Sequence, residues 1–317
     1  MRAFKFCILL GLGMGIMNIY PQSAGTTSFE FIRSQYSPRG AAMGGNLIAI
    51  KSDIQSTLYN PAALAGNSSR QWGIHYTDHL LDFKAGHLIY AQPYRNWGNF
   101  YGSLTYFSYG SFNETDEFGE QTGRTFGAAE FALTLGYSNT LGKGFDYGTA
   151  VKYLYSSLDK YNASAAALDA GLIYTVSGIK DFTIGVSIAN LGFTLDNYTA
   201  KEEKLPFLVQ LGFAKKLEHL PLLLTASFQD MAMNEDHPTD FLKRFGIGGE
   251  FDVSQIIKLR LGYQNQINQD VKPVGRTILS GISFGLGINW RQFWLDYAYS
   301  NFGDLGSQNR IGINGTM

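Results

Sequence analysis

From Gln71 onward the chain alternates residue by residue between bulky apolar side chains and small, polar or charged ones. Phe131, Leu133, Leu135 and Tyr137 are interleaved with Ala132, Thr134, Gly136 and Ser138. Phe182, Ile184, Val186 and Ile188 repeat the pattern, as do Phe207, Val209, Leu211 and Phe213, and Ile257, Leu259, Leu261 and Tyr263. Successive side chains of a strand point to opposite faces, so each segment is a strand with one greasy face and one small or hydrophilic face. A barrel in a bilayer satisfies both faces at once, with lipid outside and lumen inside.

Fourteen such segments are predicted: 71–78, 84–93, 98–109, 129–141, 145–157, 163–175, 182–190, 206–216, 222–230, 242–251, 257–264, 279–289, 293–299 and 308–315. The number is even, as in single-chain bacterial barrels. Connections sort by parity. The long ones, 110–128, 191–205, 231–240 and 265–278, follow odd-numbered strands, whereas 94–97, 142–144, 217–221 and 290–292 are short. Short periplasmic turns and long extracellular loops are the rule for outer-membrane barrels, and a soluble β-sandwich has no reason to sort its loops this way. Tyr90, Tyr94, Trp97, Trp290, Phe293 and Trp294 cluster near segment ends, where amphipathic rings suit a headgroup girdle.

Composition agrees. Only 16% of residues are charged, while Gly, Phe and Tyr number 37, 23 and 19; a soluble domain carries about 25% charged residues. The net charge of −1 offers no basic field for nucleic acid. Arg2, Lys5, the apolar run Phe6–Ile19 and the small residues Ser23, Ala24 and Gly25 predict an export signal over 1–24. Cys7 lies within it, so the mature chain is expected to carry no thiol.

Residues 25–70 have another character: small residues, Asn-Pro and no alternation predict short helices and tight turns. A fourteen-stranded barrel encloses a lumen too wide for its wall side chains to fill. This segment is expected to be an internal plug, with the transmembrane barrel over 71–317.

Pro38-Arg39-Gly40-Ala41-Ala42-Met43-Gly44-Gly45, followed by Asp53 and Asn60-Pro61-Ala62-Ala63-Leu64, resembles the opening of the PorV/PorQ family within the FadL-like group of outer-membrane barrels. Gly45-Asn46-Leu47-Ile48 with Lys51, Tyr109-Gly110-Ser111-Phe112-Asn113-Glu114 with Asp116, Glu117 and Gly119, and Lys204-Leu205-Pro206-Phe207 resemble its PorQ members. The resemblance implies a bacterial outer-membrane barrel of the type IX secretion system. It implies a role in the cell-surface attachment complex, with PorU-, PorV- and PorZ-like partners, and motif residues Arg39, Gly44, Gly45, Asp53, Asn60 and Pro61 in the plug.

Chemistry is scarce. His75 and His79 share one strand face four residues apart, roughly 13 Å, too far for one metal whose bonds are about 2 Å. No Gly-x-Ser-x-Gly elbow supports a hydrolase, and no Lys-Ser/Thr follows the glycines as a phosphate cradle would require. No cofactor, metal or catalytic site is predicted. The acidic residues Glu114, Asp116, Glu117 and Glu120, with Asp196, are candidate partner contacts, and Glu235, Asp236 and Asp240 form a second acidic stretch. The leading expectation is a non-catalytic docking barrel that binds partners through 110–128, 191–205 and 265–278. The rivals are a FadL-like channel for hydrophobic solutes and an outer-membrane hydrolase.

Overall fold

The computed structural model describes residues 27–199, 203–232, 240–271 and 280–317, the side chains of Asp240 and Phe241 aside. The expected signal over 1–24 lies outside the described residues, as do Glu235, Asp236 and parts of three extracellular connections. Fourteen antiparallel strands close into one ring. They are β1 Gln71–Asp78, β2 Lys84–Pro93, β3 Asn99–Thr115, β4 Gln121–Gly142, β5 Phe145–Leu158, β6 Tyr161–Thr175 and β7 Phe182–Asp196. The ring continues through β8 Leu208–Lys216, β9 Leu222–Phe228, β10 Phe245–Asp252, β11 Ile257–Gln264, β12 Ile282–Trp290, β13 Phe293–Asn301 and β14 Ser307–Thr316. The last strand meets the first from Gln71 opposite Thr316 to Asp78 opposite Asn309. Closure leaves no sheet edge in the hydrocarbon, where an unpaired peptide group costs several kcal/mol.

The alternation has the anticipated sense. Ile74, Tyr76, Leu133, Leu135, Leu259, Leu261 and Ile311 are exposed on the outside, while His75, Thr77, Ala132, Ser138, Arg260 and Arg310 are buried toward the lumen. Short turns gather at the periplasmic end, where Tyr94, Trp97 and Trp290 are exposed as part of a girdle.

The expectations for the extracellular side need correction. Residues 110–128 are mostly not a loop. β3 runs to Thr115 and β4 starts at Gln121, so only 116–120 connects them. β7 likewise continues to Asp196. The alternating apolar signal ends before these strands do, because pairing continues beyond the lipid where no apolar outer face is required. Helix Asn265–Val271 opens the β11–β12 connection, and a short turn Asp240–Lys243 delays β10 to Phe245. The first residue of β8 is Leu208 rather than 206, because Pro206 cannot donate a ladder hydrogen bond.

Residues 28–70 thread the ring. Ser28 N donates to Lys204 O at the extracellular mouth (2.8 Å), and Asn99 Nδ2 donates to Asn67 O near the periplasmic end (3.1 Å). The segment is a series of single turns: Glu30–Arg33, Pro38–Ala42, Ile54–Leu58 and Pro61–Leu64. Ser37, Asp53 and Asn60 cap the last three with side-chain oxygens on backbone N–H groups. Its apolar residues form the core with the wall. Phe29, Phe31 and Tyr36 pack on Ala85, Phe107, Leu154 and Ala165 near the mouth, and Met43, Leu47 and Ile50 pack against Ala214.

Candidate functional site

The segment is pinned to the wall by a chain of buried polar contacts. Arg39 donates Nε and Nη2 to both oxygens of Glu250 on β10 (2.8 Å each) and pairs through Nη1 with Asp53 at 3.0 Å. Glu250 also accepts from Arg260 Nε (2.7 Å) and Lys258 Nζ (3.0 Å) on β11. Arg260 Nη1 reaches Asp296 on β13 at 2.6 Å, and Asp296 accepts from Gln55 (3.0 Å) and Asn314 (2.9 Å). Asn314 Oδ1 lies 2.8 Å from His75 Nε2. A bidentate guanidinium–carboxylate pair fixes direction as well as distance.

Opposite the segment's backbone the wall removes its side chains. A Cβ on Gly262 would lie 2.2 Å from Gly44 N, and one on Gly148 would lie 2.3 Å from Pro61 O. Gly44 and Gly45 themselves have φ of 64° and 76°, the left-handed region that other residues rarely enter. Asn60 is fully buried. Its Oδ1 caps Ala62 N at 3.0 Å, and its Nδ2 donates to Ile48 O at 2.8 Å and toward Leu172 O and Val186 O of the wall. Of the six motif residues, Arg39 and Asn60 bond directly to the wall, Gly44 and Pro61 lie against wall glycines, and Asp53 pairs with Arg39 within the segment. Sequence reasoning missed Glu250, the wall partner of Arg39, and Arg260 and Asp296, which are linked to it. Their signal was present as charged residues at inward positions of alternating strands.

The candidate contact residues occupy two places. Glu114, on the extended β3, accepts from Arg124 Nε (2.9 Å) and Nη2 (2.7 Å), and Arg124 continues to Asp159 in the β5–β6 turn at 2.9 Å. Asp116 Oδ1 accepts from the N–H groups of Phe118 and Glu120 and so shapes the hairpin tip; Glu117 and Glu120 are exposed there. Asp196 lies apart at the top of β7, accepting from Ser164 Oγ at 2.9 Å.

His75 and His87 face each other across β1 and β2 with ring centroids 5.5 Å apart. His79 lies above them in the β1–β2 connection, 2.8 Å from Gln308. Burial and the nearby Arg310 lower the His79 pKa to about 4. Among the described residues no three His, Cys, Asp or Glu side chains converge on a common metal position. Among the described residues, two spaces stand out in the lumen. One of about 370 Å³ on the extracellular side touches Tyr36, Tyr59, Lys152, Asp169 and Arg310. One of about 760 Å³ toward the periplasm touches Lys51, Asp53, Lys216, Asp252 and Lys258. Both are lined by charged as well as apolar groups.

Residues 19–201, more than half of the chain, match the family model described as type IX secretion system protein PorV. No curated protein matches the chain. Among solved structures, the Pseudomonas putida toluene transporter TodX is similar at 15% identity and a TM-score of 0.56, over 89% of this chain and 97% of that one. The Ralstonia pickettii toluene transporter TbuX aligns at 11% identity and 0.57 over the same shares. A Pseudomonas aeruginosa FadL homologue aligns at 12% and 0.54, over 89% and 98%. At such identities the likeness is one of fold: a FadL-type outer-membrane barrel.

Proposed function

The chain belongs to the PorV family of type IX secretion system proteins, and on that premise we propose that it is a non-catalytic docking barrel, closest in kind to the PorQ members. It serves in the cell-surface attachment complex that processes and anchors exported proteins, beside PorU-, PorV- and PorZ-like partners. Residues 25–70 act as its plug. The observation that carries this reading is a segment fastened across the lumen, with spaces above and below it. A segment held by a bidentate Arg39–Glu250 pair and by wall glycines in contact with its backbone leaves the mouth and rim as the working surface. The test is extraction of native outer membranes in mild detergent. The wild-type chain is expected in an assembly larger than a monomer, with attachment-complex proteins in it. Recovery only as a free monomer overturns the reading.

A second reading, a channel for hydrophobic solutes, is favoured by the likeness to toluene transporters and by the 370 Å³ space on the extracellular side. Lys152, Asp169 and Arg310 at that space suit an apolar solute poorly. Density for an acyl or detergent tail there would support the channel.

A further inference from the structure

The wall reverses its polarity above the membrane. On β3–β5, Tyr106, Phe131 and Tyr155 stand in register and point outward. They form the last bulky row of the outer face. The next outward row, in register across β3–β6, is Ser108, Ala129, Ser157 and Asn162, and beyond it Ser111 opposes Gly127 and Asn113 opposes Thr125. The inward face does the opposite. Within the membrane it is small or polar at Ser103, Ala132 and Ala150, and its bulkier residues Ile89, Tyr101 and Leu154 are covered by residues 28–70. Above the membrane it carries Leu158 with Tyr161, then Phe112 opposite Phe126 with ring centroids 5.5 Å apart. A sheet that leaves lipid should become polar on its outer face, and this one does. Nothing about leaving lipid requires the inner face to become apolar.

The lower part of this inner face is already covered by the chain itself. Phe29, Phe31 and Tyr36 close over Phe107, Leu154, Ala163 and Ala165, leaving Phe29 and Phe31 only 3% and 2% exposed. Among the described residues the same face continues upward with no cover but the Arg124 guanidinium, 6.0 Å from the centre of the Phe126 ring. Phe112, Leu158 and Tyr161 are 36%, 42% and 49% exposed, and Phe118 at the tip is 83% exposed. Around the bare part, residues 109–128 and the turn 159–160 contribute the carboxylates Glu114, Asp116, Glu117, Glu120 and Asp159 against the cations Arg124 and Lys160. Glu114 and Asp159 are engaged with Arg124, and Asp116 shapes the tip. The exposed Glu117 and Glu120 remain to face a partner.

We infer that the inner face of the raised β3–β6 wall, built from Phe112, Phe126, Leu158 and Tyr161, is a docking surface for a protein partner with an apolar patch fringed by Lys or Arg. The inference rests on the docking role proposed above and adds the surface and the chemistry of what it holds. Apolar residues at its centre supply the area, and the acidic rim supplies orientation and encounter rate, which fall with salt.

The test is a photo-crosslinking residue placed singly at Leu158 and Tyr161 in the full chain, irradiated in native outer membranes, with an outward-facing control at Ser157. Crosslinks from 158 and 161, but not 157, are expected to one partner protein. The captured peptide should contain apolar residues flanked by Lys or Arg. Glu117→Gln with Glu120→Gln should lower the yield several-fold, as should raised salt. Crosslinks only to lipid or lipopolysaccharide, only to a second copy of this chain, only to its own loops, or none at all would overturn the inference. If wild-type chain still co-purifies with attachment-complex proteins while 158 and 161 capture none of them, this surface is wrong and the docking role stands. If wild type is a free monomer, both fall.

Discussion

Arg39 and Gly262 illustrate two ways in which single residues hold a segment inside a barrel. Arg39 holds it by charge. Replacing it with Met leaves Asp53 without its guanidinium partner and takes away two of the bonds on Glu250, which is 3% exposed. Removing one member of a buried ion pair costs about 3–5 kcal/mol. Arg39→Met should therefore lower the temperature at which the folded band is lost on semi-native gels, and expose residues 28–70 to protease. Gly262 holds it by absence. In Gly262→Ala the new methyl meets Gly44 N, so the segment must shift at a cost of about 1–3 kcal/mol. Gly86→Ala is the control, because nothing lies within 4 Å of its added Cβ; thermal unfolding of both variants decides.

His79 carries the residue-scale pH dependence. Its pKa of about 4 lies below the unfolded value of about 6.5. Between those values the unfolded chain binds a proton that the folded mouth does not, so stability is highest above about pH 6.5 and falls as pH drops toward 4. His79→Gln should flatten that slope in protease protection of the β1–β2 connection. An unchanged slope would place the effect elsewhere.

At the scale of elements, the β3–β4 hairpin is a two-stranded ribbon above its neighbours, and two strands alone are marginal in water. Its tether to the β5–β6 turn is Arg124, shared between Glu114 and Asp159. Arg124→Ala should leave barrel unfolding essentially unchanged, because exposed pairs contribute little. It should still speed hydrogen exchange at 116–127. The hydrogen bond from Arg124 holds the Asp159 carboxyl below its ordinary pKa. The tether is therefore intact above the ordinary carboxylate range and lost as pH falls through the depressed value. Protection at the tip, taken relative to the intrinsic exchange rate, should fall in acid in wild type and not in Arg124→Ala. The hairpin's length was not legible in the sequence, since alternation of bulky outer residues stops at Phe131 and Tyr155 while the ladder continues. A strand outside lipid is under no demand for an apolar outer face, so the pattern that marks the others is missing.

At the scale of the whole molecule, closure of β1 on β14 makes every lipid-facing strand depend on the last. Ile313→Pro removes a donor from that seam and places a rigid ring opposite Ile74. It is expected to abolish the compact, heat-modifiable form, whereas Ile313→Val, which keeps the N–H and an apolar outward side chain, should preserve it. The wild-type barrel, with Leu133, Leu135, Leu259 and Leu261 bare to the outside, should stay monodisperse only with an amphiphile; size-exclusion chromatography with and without detergent checks this.

The sequence by itself determined the strands, which of their faces is apolar and the place of the family motif, because each is a local property. Alternation has a period of two, turn chemistry spans a few residues, and Asn-Pro caps its own turn. The boundaries of β1, β2 and β11 were read to the residue from that periodicity alone. The sequence could not say that Arg39 meets Glu250, that Gly262 makes room for Gly44, or that Phe112, Phe126, Leu158 and Tyr161 share one bare face. Arg39 and Glu250 are 211 positions apart. Their meeting depends on ring closure, on the register of every intervening strand and on the path of the segment through the lumen. Those are long-range quantities, and only the folded molecule adds them up.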